Sequence, residues 1–420
     1  MDEERTPDGL RRGRVRSPGE QRFTRPAESR PYGCSPPPRI PLLHPSYLRS
    51  PIVTSSSPRP ANPVDMEDVR ERVNAALVGF MDGQSALLSK VSPQLDPVTD
   101  ALRDFLLDGG KRLRPAFCYW GWRGAGGPAR GEGITRAAAA LELLQASALV
   151  HDDLMDRSDT RRGLPSVHRR FEALHRARGW RGDREQYGAS AAVLLGDLLL
   201  IWCDELFLNS GLDPEAVLAA KPMFDLMRTE VMVGQYLDVL EPVAGDSTDG
   251  GALERAQTVL HYKSAKYTIE RPLQVGALLA GAEPRLVEAY GAFGLPLGEA
   301  FQLRDDLLGV FGDPAVTGKP AGDDLREGKR TLLVAHAMRG LPADEARRLD
   351  ERLGAPDLTP AEVAGLRELV ARSGAPERVE RRIDELLHQS LKALDAAPLA
   401  DGQARAALLA LAEAATVRKY

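Results

Sequence analysis

An all-α fold, one large helical bundle with a helix-lined interior, is predicted by three observations. From Met66 to the C-terminus, apolar residues recur at the three-and-four spacing of amphipathic helices. Alternating runs of β-branched residues, the mark of strands, are missing. No proline-, glycine- or serine-rich break between 66 and 420 resembles a domain linker.

Residues 1–65 differ in kind. They hold 13 of the chain's 31 prolines, 11 arginines and no lysine. Such a composition buries too little apolar surface to fold. The stretch is expected to be a disordered Pro/Arg-rich extension, either dispensable or a docking arm for an acidic partner or membrane surface. Met66 opens the first helix, whose Val69, Val73, Ala76, Leu77 and Phe80 share a face. Helical spacing continues through 87–107, 134–156, 191–208, 222–240, 253–281, 284–309 and 331–339, and then to the C-terminus. Loops are expected at 124–133, 177–186, 243–251 and 313–329. Residues 66–420 thus read as one domain.

Composition narrows the class. Hydrophobic residues at 43% and charged residues at 27% are ordinary for a soluble globular protein, and a net charge of −5 argues against a nucleic-acid binder. Cys34, Cys118 and Cys203 are scattered and odd in number. They form neither a metal spacing nor a disulfide framework, which fits a reducing, cytoplasmic setting. No apolar run reaches the roughly 18 residues of an integral membrane segment. The nearest, 189–203, is interrupted by Gly196 and Asp197. The N-terminus carries no apolar signal-peptide core.

The most informative stretch is Leu149-Val150-His151-Asp152-Asp153-Leu154-Met155-Asp156, trailed by Arg161-Arg162-Gly163. Asp152 and Asp156 project from one helix face, and Asp153 lies about 100° round the axis from Asp152. Close carboxylates repel and raise each other's pKa unless a positive charge sits between them. Ending a buried apolar helix, they need such a partner, and a hard divalent cation suits them. A solvated helix end, with Asp153 or Asp156 capping the next segment, is the alternative. Phe301-Gln302-Leu303-Arg304-Asp305-Asp306-Leu307-Leu308-Gly309 repeats the arrangement. Two such walls across a cavity suit Mg²⁺, which takes one or two carboxylates, water and substrate phosphates. The implied ligand is a di- or polyphosphate. Two unrelated helix ends remain the competing reading.

Basic residues accompany the acidic ones. Asp108-Gly109-Gly110-Lys111-Arg112-Leu113-Arg114-Pro115 places three cations between a helix end and a helix start. Glycine admits close approach to a phosphate, arginine offers a fork and lysine a point charge. An ordinary turn with a solvated basic face also fits. Arg161 and Arg162 follow the first acidic stretch, and Lys319 and Lys329 follow the second. His151 reads as a packing residue, or one that supports the ligands from behind, rather than a metal ligand. There is no Gly-x-x-x-x-Gly-Lys-Ser/Thr loop, Gly-x-Ser-x-Gly elbow or His-Glu-x-x-His pair.

Together, Gly-Gly-Lys-Arg-Leu-Arg-Pro, Leu-Val-His-Asp-Asp-Leu-Met-Asp with Arg-Arg-Gly, and Phe-Gln-Leu-Arg-Asp-Asp-Leu-Leu-Gly with Thr-Gly-Lys-Pro resemble the trans-isoprenyl (polyprenyl) diphosphate synthases, most of all those making geranylgeranyl diphosphate. The resemblance spans about 66–420. It implies the isoprenoid-synthase type of all-α fold around a central cavity, usually a homodimer, with three Mg²⁺ ions bound alongside the allylic diphosphate. It implies head-to-tail condensation of isopentenyl diphosphate with a dimethylallyl, geranyl or farnesyl diphosphate. Carried over by motif, Asp152 and Asp156 bind Mg²⁺ from the first wall with Asp153 in support. Asp305 binds from the second, with Asp306 acting through water. Lys111, Arg114, Gln145 and Arg162 hold isopentenyl diphosphate. Arg161, Lys263, Gln302 and Lys319 hold the allylic diphosphate, with Lys329 nearby. Ser264 stands where the family usually has threonine.

Gly309 departs from the family's Asp-Asp-x-x-Asp, although Asp313 follows a turn later. Activity is expected to survive; a severalfold gain from Gly309→Asp at limiting Mg²⁺ would show that the missing carboxylate weakens the second wall. Ser147 and Ala148 precede Asp152 by five and four residues. Being small, they leave the product tunnel open beyond fifteen carbons, unless they serve only helix packing. Product length is thus expected to reach geranylgeranyl or beyond. Three alternatives stand beside this one. A farnesyl diphosphate synthase would carry bulky residues at 147 and 148. A class I terpene cyclase shares the first acidic motif but not the Gly-Gly-Lys-x-x-Arg cluster. A regulatory subunit of a heteromeric synthase would tend to lose its acidic residues.

Overall fold

Helices form almost wherever the apolar spacing marks them. The computed structural model describes residues 63–244, 251–313 and 321–416, with the side chains of 63–65 excepted. The expectation for residues 1–62 therefore lies outside the described residues. After a 3₁₀ turn at Pro63–Asp68 come α1 (Val69–Val91), α2 (Asp96–Leu107), α3 (Leu113–Gly124) and α4 (Glu132–Met155). A small hairpin, β1 (Thr160–Arg161) and β2 (Leu164–Pro165), leads to α5 (Val167–Arg178), α6 (Arg184–Leu208) and α7 (Pro214–Ala244). Next come α8 (Ala252–Val259), a π-helical segment (Leu260–Glu270), α9 (Arg271–Leu279) and α10 (Pro284–Phe311). Shorter helices precede two longer ones, Ala375–Ala396 and Gly402–Thr416.

The structure corrects the sequence reading in four places. The expected helix over 87–107 is two, broken where Ser92 accepts from the Gln94 N–H at 3.2 Å ahead of Pro93. Pro222 lies inside α7 instead of starting it, because Asp213 caps an earlier start by accepting from the Glu215 N–H at 2.9 Å. The expected loop 313–329 contains a helix, Asp323–Glu327. The hairpin was not expected; Arg162 and Gly163 both take positive φ, +53° and +80°, and reverse the chain in two residues.

The core centres on α4. Ala137, Ala138, Ala139, Ala140, Leu141, Leu143 and Leu144 are fully buried on it, and Phe117 and Trp120 of α3 join the same cluster. A second apolar cluster gathers Leu303, Leu307, Leu325, Leu333, Val370 and Ile383 around the far half of α10. No helix among the described residues is long and apolar enough to cross a membrane.

The π-helical segment is unusual in length, since such turns mostly occur singly and at functional sites. Glycines on its neighbours receive its backbone. A Cβ on Gly234 of α7 would lie 2.3 Å from the Lys263 nitrogen, and one on Gly298 of α10 would lie 2.4 Å from the Ala265 carbonyl oxygen. Gly298→Ala must therefore push the segment away from α10. We expect a loss of about 1–3 kcal/mol, the usual cost of overpacking, read as a lower melting temperature. Gly365→Ala, at a helical position with open space around it, is the control and should melt no lower than the parent.

Candidate active site

Two helical segments build the site in register. On α4, Gln145 and Asp152 lie two turns apart on one face. On the π segment, Lys263 reaches Asp152 Oδ1 at 3.3 Å, while the Tyr267 hydroxyl donates to Gln145 Oε1 at 2.9 Å. Each pair anchors one cluster, the first acidic and the second basic.

In the acidic cluster, Asp152 Oδ1 also accepts from Gln235 Nε2 at 2.9 Å, and Arg161 Nη2 lies 3.6 Å from its Oδ2. Burial works against its charge, but Lys263, Lys329 and Arg161 outweigh that and hold its pKa down to about 2. Asp156, where α4 ends, goes the other way. Burial and the neighbouring Asp152 charge push it up to about 6 against the pull of Lys329 and Lys263. Lys263 is shared between Asp152 and Asp238 of α7. Lys329 spans the cleft, 3.6 Å from Asp156 Oδ2 and 3.7 Å from Asp324 Oδ1, and it also pairs with Glu327. Burial disfavours its charge, yet these carboxylates hold its proton well above the ordinary lysine range.

Asp153 is not on the cleft face. It is fully buried, and its Oδ1 accepts from Arg161 Nε at 2.8 Å and from Nη2. Buried charges require such partners. Asp153 therefore sets the position of Arg161. Asp305 is half-buried near the end of α10. Asp306 is 4% exposed and accepts from Gln302 Nε2 at 2.9 Å, so Gln302 serves its own helix here. Among the described residues, no three carboxylate, imidazole or thiolate groups converge to enclose a metal by themselves.

The basic cluster forms at the α2–α3 junction, where Gly109 and Gly110 take φ of +79° and +112°. Arg114 stacks over the Tyr267 ring at 4.2 Å and donates to Thr268 Oγ1 at 2.8 Å. Lys111 is exposed beside it. Arg162 donates to the Asp108 carbonyl at 3.1 Å, which brings the hairpin against the glycine turn. Arg112 turns inward instead. It is 3% exposed and donates to Glu142 Oε2 at 2.6 Å, Asn74 Oδ1 at 2.8 Å and the Leu106 carbonyl.

Of the expected site residues, Lys111, Arg114, Gln145 and Arg162 meet in the basic cluster. Asp152, Asp156, Arg161, Lys263 and Lys329 meet in the acidic one. Ser264 lies beside Lys263, half-buried. Lys319 lies outside the described residues. Ser147 is fully buried, and its hydroxyl finds no partner among the described residues; Ala148 is half-buried on the Asp152 face. His151 packs, filling the notch at Gly196 of α6 with Nε2 3.2 Å from the Val193 carbonyl. Sequence reasoning missed Gln235, Asp238, Tyr267, Asp324 and Glu327. The run Gly234-Gln235-Tyr236-Leu237-Asp238 put two polar groups on one face of an apolar helix, which was a readable signal. Asp324 lay in a stretch read as loop.

Comparison with known proteins agrees with this architecture. The polyprenyl synthetase family model matches residues 96–370. Geranylfarnesyl diphosphate synthase of Aeropyrum pernix is 30% identical over 313 residues, covering 74% of this chain and 91% of the relative. Geranylgeranyl diphosphate synthase of Methanosarcina mazei is 33% identical over 270 residues, 62% of this chain and 75% of the relative. The crystal structure of geranylgeranyl pyrophosphate synthase from Corynebacterium glutamicum, complexed with isoprenyl diphosphate and magnesium, superposes with a TM-score of 0.80. It is 42% identical and covers 84% of this chain and all of that one.

Asp306 generates a pH prediction. Its carboxyl is pushed from the ordinary 3.8 to about 8 by burial and by Asp324 and Asp305, against the hydrogen bond from Gln302. Between those values the folded chain keeps a proton that the unfolded chain has lost, so stability falls as pH rises across the window. Asp306→Asn removes the effect. With metals chelated, the variant should melt above the parent at pH 8, and the gap should close towards pH 4. A gap that does not change with pH would refute this account.

Proposed function

The chain belongs to the polyprenyl synthetase family, and from that membership we propose that it condenses isopentenyl diphosphate head-to-tail with an allylic diphosphate. The product is geranylgeranyl diphosphate or a longer all-trans prenyl diphosphate. The observation that carries this reading is the pair of clusters on one face of α4. One is acidic and bordered by lysines; the other is basic and held by Tyr267. A terpene cyclase needs only the first. An enzyme joining two diphosphates needs both.

Asp152 and Asp156 suit Mg²⁺ on the first wall and Asp305 on the second. The mutual repulsion that raises Asp156 is what a cation relieves. Carboxylates on two facing walls fit an ion that takes one or two of them together with waters and substrate phosphates, here three ions with the allylic diphosphate. Mg²⁺ would supply charge neutralisation for the departing diphosphate. Lys263, Lys329, Arg161 and, from the segment outside the described residues, Lys319 bind the allylic diphosphate and stabilise the charge it gains. Gln302 and Ser264 border that site. Lys111, Arg114 and Arg162 grip the isopentenyl diphosphate, with Gln145 between the two. The allylic C–O bond ionises, the double bond attacks the cation, and the proton leaves to the departed diphosphate. Apolar walls keep water from the cation.

Residues 66–420 form the catalytic domain in this reading, working in the cytoplasm as a homodimer. The dimer is supported by the outward face of α6, where Leu194 and Ile201 are 66% and 63% exposed. Gly309 has a new explanation. A Cβ there would lie 1.9 Å from Asp324 Oδ2, so the Asp324 carboxylate stands where a side chain at 309 would go. Asp324, and not Asp313, stands in for the missing acid.

Three tests follow from these assignments. With labelled isopentenyl diphosphate, Mg²⁺ and each allylic primer in turn, the parent should elongate. Asp152→Asn should lose at least a hundredfold in rate, and an inactive parent would remove the reading. Gly309→Asp should lower activity at limiting Mg²⁺ by displacing Asp324; a severalfold gain would show instead that the missing carboxylate is a real loss. Ala148→Phe, on the Asp152 face, should shorten the product by an isoprene unit, as judged by chromatography of the dephosphorylated alcohols.

A further inference from the structure

Resting on the prenyl-transfer reading, we propose that the turn joining α5 to α6 docks on an anionic phospholipid surface. Docked there, it holds the acidic end of the bundle towards the bilayer that takes up an amphiphilic product.

Helix register places this turn. α6 runs antiparallel to α4, because His151 of α4 fills the notch at Gly196 of α6 while Leu144, further back on α4, meets Cys203. The start of α6 therefore lies beyond the end of α4 that carries Asp152 and Asp156. From Gly196 back to Arg184, α6 runs about 18 Å. α4 itself stops at Met155, about 6 Å past His151. α5 passes beside α6 in the opposite sense. A Cβ on Gly188 would lie 2.4 Å from the His168 carbonyl oxygen, and α5 continues from there to Arg178 before the chain reverses through Gly179 and Gly182, both with positive φ. The two helices thus extend past the acidic cluster, with their turn outermost.

The turn presents one large aromatic ring among free cations. Trp180 is 46% exposed, whereas Trp120, Trp122 and Trp202 are buried. It is braced from below. Its ring meets Tyr187 edge-on at 5.4 Å and His175 at 6.1 Å, and His175 Nε2 lies 3.1 Å from the Arg181 carbonyl oxygen. Arg176, Arg178, Arg181 and Arg184 surround it, all exposed and without an ion pair among the described residues. Asp183 is occupied in capping α6, accepting from the Glu185 N–H at 2.8 Å and the Gln186 N–H at 3.3 Å. Nearer the start of α5 the arginines are paired, Arg169 with Asp159 and Glu172, and Arg170 with Asp104. The excess of positive charge is therefore confined to the turn.

A tryptophan ring, apolar with one polar N–H, settles at the headgroup level of a bilayer, and arginines beside it are drawn to anionic lipid. An acidic polypeptide would satisfy the arginines and leave the ring in water. A bilayer answers both. The chain as a whole carries −5, so an anionic surface repels most of it and admits the turn first. A prenyl diphosphate, an apolar chain with an anionic head, partitions into the same layer. The competing reading is that Trp180 only braces the turn and the arginines are a solvated face, since single exposed apolar side chains are ordinary.

The experiment is tryptophan fluorescence of the full chain titrated with vesicles. Trp180 reports on its own site because the other three tryptophans are buried. Phosphatidylglycerol vesicles should shift the emission to shorter wavelength, and brominated phosphatidylglycerol should quench it. Trp180→Phe should abolish both responses and leave the condensation rate at the parent level. Arg178→Ser, Arg181→Ser and Arg184→Ser together should weaken docking at least tenfold, each arginine near an anionic surface counting for about fivefold. An emission that stays unchanged on phosphatidylglycerol overturns the proposal, even where the chain sediments with the vesicles, because the arginines of residues 1–65 would then be holding it. An equal response to phosphatidylcholine overturns it too, and so does an equal shift with polyglutamate, which would assign the turn to an acidic protein. A parent that docks and condenses nothing strikes the prenyl-transfer reading and leaves the docking standing, so the two failures are told apart.

Discussion

The contact between Asp152 and Lys263 is the interaction on which the rest of the site depends. A carboxylate buried at the end of an apolar helix would sooner take a proton than keep its charge. Lys263, with Lys329 and Arg161, reverses that preference. Lys263 can do so only because the π segment delivers its ammonium group to α4, and the segment holds that place because Gly234 and Gly298 let two helices close on its backbone. The chemistry of one carboxylate is thus set in part by glycines that never touch it. The same lysine, in contact with Asp238, ties α7 into the arrangement.

The balance of charge is uneven by construction. Asp152 stays ionised while its neighbour Asp156 is pushed up to about 6, and both feel the same cations. Two carboxylates with pKa values driven apart leave one firmly held anion and one whose charge an added cation would secure. Lys329 bridges the cleft in the meantime, holding Asp156 near Asp324 and Glu327. It keeps two mutually repelling walls together.

Much of this was legible in the sequence, for physical reasons. The all-α class showed because apolar spacing survives wherever a helix covers a core, and α4 and α10 are such helices. The acidic and basic motifs showed because charges at the ends of buried helices are costly and so stand out. What stayed hidden was assembly. Nothing local marks Tyr267 as the partner of Gln145, or Asp324 as the occupant of the space beside Gly309, because both relations join segments far apart in the chain. The π segment was read as ordinary helix, since a wide turn keeps nearly the same apolar spacing. Asp153 illustrates the limit best. In sequence its position off the Asp152–Asp156 face is legible, but only the structure shows that it is fully buried and turned onto Arg161 while the other two face the cleft.

Arg112 extends the same logic to the second cluster. Three cations in a short glycine turn repel one another, and a flexible turn would let all three drift into water. Here the middle one is withdrawn. Arg112 adopts φ of +52°, a strained conformation for arginine, and sinks onto Glu142, Asn74 and the Leu106 carbonyl. Breaking a buried pair of this kind costs about 3–5 kcal/mol, more than the strain of one left-handed residue at about 1–3 kcal/mol. The balance therefore favours the inward turn, and it fixes the residues on either side. Lys111 is left outside, and Arg114 is aimed at Tyr267. Because Glu142 lies one turn before Gln145 on α4, the buried arginine also ties the basic turn to the helix that ends in Asp152. The distance between the two clusters is therefore a property of α4, and any change that let that helix shift would move both clusters together rather than pull them apart.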